Sequence, residues 1–182
     1  SAPPNMRPGG GTDLYLAPVD TSGRIRGPVL PASRGGVGHM SYPVWSRDGL
    51  ELAYKVGTDP IRAGIVIQTL ATGVERKVDV PFDEIAQFDW SADGRSMLVA
   101  GAKGPLQQIL RIDLNDGRST VVAGSQRDTS SRSPGSGTLT QPRWLPDGTA
   151  CLFVSNSTVE RVDLRTGART TAVTAPTNVQ SL

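Results

Sequence analysis

One histidine, His39, and one cysteine, Cys151, are all the imidazole and thiol that this 182-residue chain holds. A Ser-His-Asp triad would have to use His39, which stands in SRGGVGHMS, and no G-x-S-x-G nucleophile turn is present. The nearest candidate, PGSGT, lacks the first glycine. Structural zinc needs several Cys and His ligands, so the single copies of each argue against it. Cys151 sits in the apolar run ACLFV and reads as a small buried hydrophobe. The acidic segment DLNDG (113–117) has no EF-hand spacing after it, and Asp at such a turn caps backbone N–H groups. SRGGVG and RPGGG are glycine-rich but open no helix, so they do not form a phosphate loop. No catalytic residue, metal or cofactor is expected.

Charge narrows the partner classes. Nineteen basic residues are scattered among seventeen acidic ones, with no run of five or more like charges, and the net charge is +2. Nucleic-acid surfaces need basic clustering, so nucleic acid is not the expected partner. No stretch approaches the ~20 apolar residues that span a bilayer, so direct membrane insertion is not expected. The single cysteine permits no internal disulfide. The chain opens on Ser1 and not on Met, which points to a processed protein or an excised piece.

The informative feature is a phrase written three times. YPVWSRDGLELAY, QFDWSADGRSMLVA and QPRWLPDGTACLF align on Trp45, Trp90 and Trp144. Each Trp is followed by a turn pair and then Asp-Gly: Asp48-Gly49, Asp93-Gly94 and Asp147-Gly148. Asp-Gly between extended runs predicts a hairpin, because Gly takes positive φ cheaply and Asp caps the turn. A second hairpin follows each first one, turning at Thr72-Gly73, Asp116-Gly117 and Thr166-Gly167. Alternation of Ile109, Arg111 and Asp113 with Leu110, Ile112 and Leu114 predicts one buried face and one wetter face. No amphipathic helix pattern of useful length appears.

Four short antiparallel strands recurring at about 45 residues predict an all-β fold of β-propeller blades. The Trp spacings are 45 and 54 (90 − 45 and 144 − 90), the longer one being explained by the Ser/Gly-rich stretch 124–138. The phrase W-S-x-D-G before an apolar strand, followed by the I-x-x-x-D/T-L-x-x-G hairpin, resembles the WD-repeat-like blades of the TolB family of propellers. WSRDG and WSADG carry the resemblance, and WLPDG departs from it at Leu145 and Pro146. It covers roughly residues 13 to 174, and in this blade type the Trp ends the innermost strand and packs between neighbouring blades. The resemblance implies a bacterial exported or membrane-tethered, periplasmic or extracytoplasmic setting, with a protein partner at one face.

The predicted organisation is a linker over 1–12, the second hairpin of an incomplete blade over 13–34, and blades over 40–80, 85–123 and 139–174. The stretch 124–138 is a loop and 175–182 a tail, all within one propeller domain. Counting back from Gly23 places the Trp of the first, incomplete blade before Ser1. About three and a half blades do not readily close a ring, since propellers use about four to eight. The expected partners are therefore a protein, the remaining blades of the parent, or a second copy joined through exposed blade edges.

Function is expected on the loops, because the links from strand two to strand three and from blade to blade share one face. Those links are 57–64, 101–106, 156–158, 35–40, 81–87 and 124–140, and their contents differ between copies. His39, Asp59, Arg62, Phe82, Asp83, Glu84 and Lys103 are the candidate binding residues. The leading expectation is a non-enzymatic interaction or sensing platform. The alternative is the gating propeller of a larger prolyl-oligopeptidase-like peptidase or carbohydrate-active enzyme, with catalytic residues outside this chain.

Overall fold

The computed structural model describes residues 13–32, 39–57, 63–126 and 139–174. Among these residues every regular element is a β-strand. Three consecutive four-stranded antiparallel sheets form the body. The first blade is β3 (His39–Trp45), β4 (Glu51–Gly57), β5 (Ala63–Thr69) and β6 (Glu75–Val78); β1 (Tyr15–Leu16) and β2 (Leu30–Pro31) precede it as a two-stranded half-blade. The second blade is β7 (Glu84–Trp90), β8 (Ser96–Lys103), β9 (Leu106–Asp113) and β10 (Ser119–Gln126). The third is β11 (Leu139–Trp144), β12 (Ala150–Ser155), β13 (Thr158–Asp163) and β14 (Arg169–Thr174). Each strand pairs with its sequence neighbour, so each blade is a meander and the arc of blades is open.

The repeated phrase is explained by the first turn of each blade. In the first blade the Ser46 hydroxyl donates to Asp48 Oδ1 at 2.7 Å and accepts from the Glu51 N–H at 2.9 Å. Asp48 Oδ1 also accepts from the Leu50 N–H at 3.0 Å. The second blade repeats the scheme with Ser91, Asp93, Arg95 and Ser96. These hydrogen bonds hold the Asp48 and Asp93 carboxyls below the usual carboxylate range, the serine hydroxyl contributing most. In the third blade Leu145 has no hydroxyl, and Thr149 compensates by donating both its N–H and its Oγ1 to Asp147, each at 3.0 Å. The glycine completes the turn: Gly94 has φ +70°, where a side chain is strained.

The alternation in β9 does not separate a buried face from a wet one. Ile109 is buried along with Leu110 and Ile112, although it shares a face with the exposed Arg111. Ile109 packs toward the third blade with Leu98, Leu139 and Phe153. Leu110 and Ile112 pack toward the first blade with Ile65, Ile67 and Trp90. A central blade is covered on both sides, so both of its faces are apolar.

The three tryptophans have three environments. Trp90 is 6% exposed and its indole Nε1–H donates to the Val44 carbonyl of the preceding blade at 3.2 Å. Trp144 is half-buried; its ring lies 5.5 Å from the Arg111 guanidinium, and its buried Nε1 meets no acceptor among the described residues. Trp45 is 51% exposed, against the expectation that all three pack between blades. Only two outer strands precede the first blade, and no inner strands of a preceding blade cover Trp45 among the described residues.

Candidate functional site

The strand-two-to-three and blade-to-blade links lie together, opposite the Asp-Gly turns. They are shorter than the sequence suggests. β8 and β9 pair from Ser96↔Asp113 to Lys103↔Leu106, leaving only Gly104 and Pro105 as a turn, with Gly104 at φ +55°. β10 likewise runs on through Gln126, three residues into the stretch predicted as loop. His39, Glu84 and Lys103 are therefore strand-end residues and not loop residues: His39 pairs with Gly57, Glu84 with Ala102 and Lys103 with Leu106. A ladder continues as long as its hydrogen bonds are available, and a tight turn with a positive-φ glycine lets it run to the tip.

Four of the predicted residues converge where the first blade meets the second. The Asp83 N–H donates to the Ala102 carbonyl at 2.9 Å, and its Oδ2 accepts from the Gly104 N–H at 3.2 Å. Asp83 thus ties the blade-to-blade link to the β8–β9 turn, beside the exposed Lys103. Phe82 is half-buried and lies over Gly101, where a Cβ would collide with the ring and the Glu84 carbonyl. His39 heads the innermost strand of the first blade. Asp59 and Arg62 lie outside the described residues.

Sequence reasoning missed two members. Lys55 projects from β4 toward the second blade and donates from Nζ to the Ile85 carbonyl at 2.7 Å. Burial pushes its ammonium below the usual lysine range, and the charge of Glu84 partly restores it. The Tyr42 ring lies 5.8 Å from the same Nζ, and Tyr42 holds a positive φ of 54° at the register shift of β3. The available signal was a lysine in the middle of the run LAYKVG, at the position where the other blades carry Ala100 and Val154. The result is a surface with two aromatic rings (Phe82 and Tyr42), two carboxylates, two ammonium groups and strand-end backbone.

At the Asp-Gly end, a cavity of about 320 Å³ opens between the second and third blades, lined by Arg111, Thr120, Val122, Val162, Asp163 and Leu164 among others. It exists because Arg111 stands where the first blade has the buried Ile67, and its guanidinium turns aside onto Trp144. Cys151 lies in the core of the third blade, its thiol pushed up to about 11 by burial. Among the described residues no three His, Cys, Asp or Glu side chains converge as a metal site.

No family model matches the chain, and no curated protein matches it. Solved structures do. TolB from Acinetobacter baumannii is 23% identical at a TM-score of 0.67, the match covering 86% of this chain and 37% of that one. A putative TolB from Agrobacterium tumefaciens is 20% identical at 0.66, covering 89% and 56%. A puromycin hydrolase is 20% identical at 0.63, covering 89% and 27%. At these identities the likeness establishes the fold, and the chain spans between about a third and a little over half of the TolB structures. The chain is built of TolB-like, WD-repeat-like β-propeller blades.

Proposed function

We propose that the chain is a non-enzymatic propeller segment and that the face carrying Phe82, Asp83, Glu84, Lys103 and Lys55 is a protein-interaction platform. One observation carries the reading: the two faces of the arc are built differently. In every blade the Asp of the first turn accepts from the N–H two residues on, so this end repeats one local scheme. The opposite face changes from blade to blade in length and chemistry and gathers charged residues at a blade junction. Likeness to TolB structures supports an extracytoplasmic bacterial setting and a ring completed by further blades.

The test is photocrosslinking from position 103 and, in parallel, from position 118 on the Asp-Gly side, in extract of the source organism. A discrete adduct from 103 and none from 118 is expected, and equal labelling from both would overturn the platform. The second reading, a propeller that gates a peptidase, is favoured by the likeness to puromycin hydrolase. A fluorophosphonate probe that labels the full-length gene product would select it.

A further inference from the structure

We propose that the cavity between the second and third blades is a binding site for a small monocarboxylate with an apolar body, its carboxylate held by the Arg111 guanidinium. The site lies at the Asp-Gly end, away from the interaction platform. Three observations define it.

The first is a missing core residue. Where the first blade meets the second, Ile67 is fully buried and packs with Val78, Val80, Ile112 and Leu114. At the next junction Arg111 takes that register position, opposite Leu98 as Ile67 is opposite Ala53. Val122 and Leu164 are left only partly buried, and with Val162 they give the cavity of about 320 Å³ its apolar lining. An apolar cavity with a few polar groups in its wall has the make-up of a small-molecule site.

The second is the state of Arg111. It is exposed in mid-strand, and its guanidinium lies 5.5 Å from the centre of the Trp144 ring. Its hydrogen bonds among the described residues are two contacts of 3.4 Å to the one Ser96 hydroxyl. It forms no ion pair with any described residue. A guanidinium stacked on an aromatic ring keeps its edge for a carboxylate, which it binds through two parallel N–H donors.

The third is that the other charges of the wall are engaged. Arg118 pairs with Asp116 at 3.4 Å. Asp163 Oδ1 accepts from the Arg165 and Thr166 N–H groups and from the Thr166 hydroxyl, and Asp113 Oδ1 accepts from the Asn115 N–H. These turn N–H groups hold both carboxyls below the usual range, so both are anionic at neutral pH. Arg111 is the cation left for a ligand. One cation among rim carboxylates suits a single negative charge and disfavours a phosphate.

The test is an amide NMR titration of the isotope-labelled chain with isocaproate, isocaproamide and isohexylamine, which share one branched apolar body. Expected with the carboxylate are saturable shifts of the Val122 and Leu164 amides and of the Trp144 indole N–H. Its affinity should exceed that of the amide by about tenfold or more, the worth of a charge-assisted pair, and the amine should not bind. Arg111→Ile restores the residue of the first junction and is expected to keep a dispersed spectrum and lose the response. Arg111→Lys keeps the charge without the fork and is expected to bind more weakly than the parent. Should the Ile variant lose its dispersed spectrum, the Lys variant decides. A response to isocaproate that does not saturate overturns the proposal, as does binding of the amide or the amine as tight as that of the carboxylate. An unchanged response in the variants also overturns it, and leaves Arg111 as a packing group for Trp144.

Discussion

Ser91 holds the turn of the second blade by accepting from the Ser96 N–H and donating to Asp93, and both serines are buried. Ser91→Ala leaves that N–H without its acceptor, which costs on the order of 1–3 kcal/mol. Urea melts should show the loss; in the third blade, where Leu145 has no hydroxyl, Thr149 takes over only the donation to the turn aspartate, Asp147. Asp89 is a different case. Its Oδ2 accepts from the Trp144 N–H at 2.9 Å and Arg143 lies 4.0 Å away, yet burial raises its pKa above the usual value. With the folded pKa raised, the ionised form is disfavoured in the fold, so this group stabilises increasingly as pH falls through its folded pKa. Asp89→Asn keeps an acceptor for Trp144 without the buried charge. Thermal melts at pH 5 and pH 7 should find the variant at least as stable as the parent at pH 7, and a smaller advantage at pH 5.

At the scale of the element, two strand glycines make opposite predictions. A Cβ on Gly101 would fall within van der Waals distance of the Phe82 ring and the Glu84 carbonyl. Gly101→Ala should therefore cost about 1–3 kcal/mol and displace Phe82 from the candidate site. Gly64 has open space around its Cβ and no positive φ. Gly64→Ala should be neutral or stabilising by up to about 1 kcal/mol, by reducing the freedom of the unfolded chain. A chemical-denaturation series on the two variants distinguishes them. The turns were legible in the sequence because Asp-Gly chemistry is local. The strand ends were not, because a ladder stops where its partner stops, and His39, Glu84 and Lys103 passed from loop to strand for that reason.

For the whole molecule, acid should act first on the hairpin ends. Hydrogen bonds from Ser22, Arg24 and Arg26 lower the Asp20 pKa from 3.8 to about 2, with the Ser22 hydroxyl contributing most. Asp48, Asp93, Asp113, Asp147 and Asp163 are shifted in the same direction. A depressed folded pKa gives stability that is present above the unfolded value and lost as pH falls toward the folded one. Far-ultraviolet melts should hold down to about pH 4 and weaken between pH 4 and 2, the Asp20 window. The sequence by itself determined the strands, their turns and the blade repeat, because each depends on residues within a few positions of one another. The tertiary structure decided which tryptophan is covered, that both faces of the second blade are buried, and that Lys55 joins Asp83 and Glu84 at one junction. Those outcomes depend on which blade lies alongside, and neighbours far apart in the chain are not written into any one repeat.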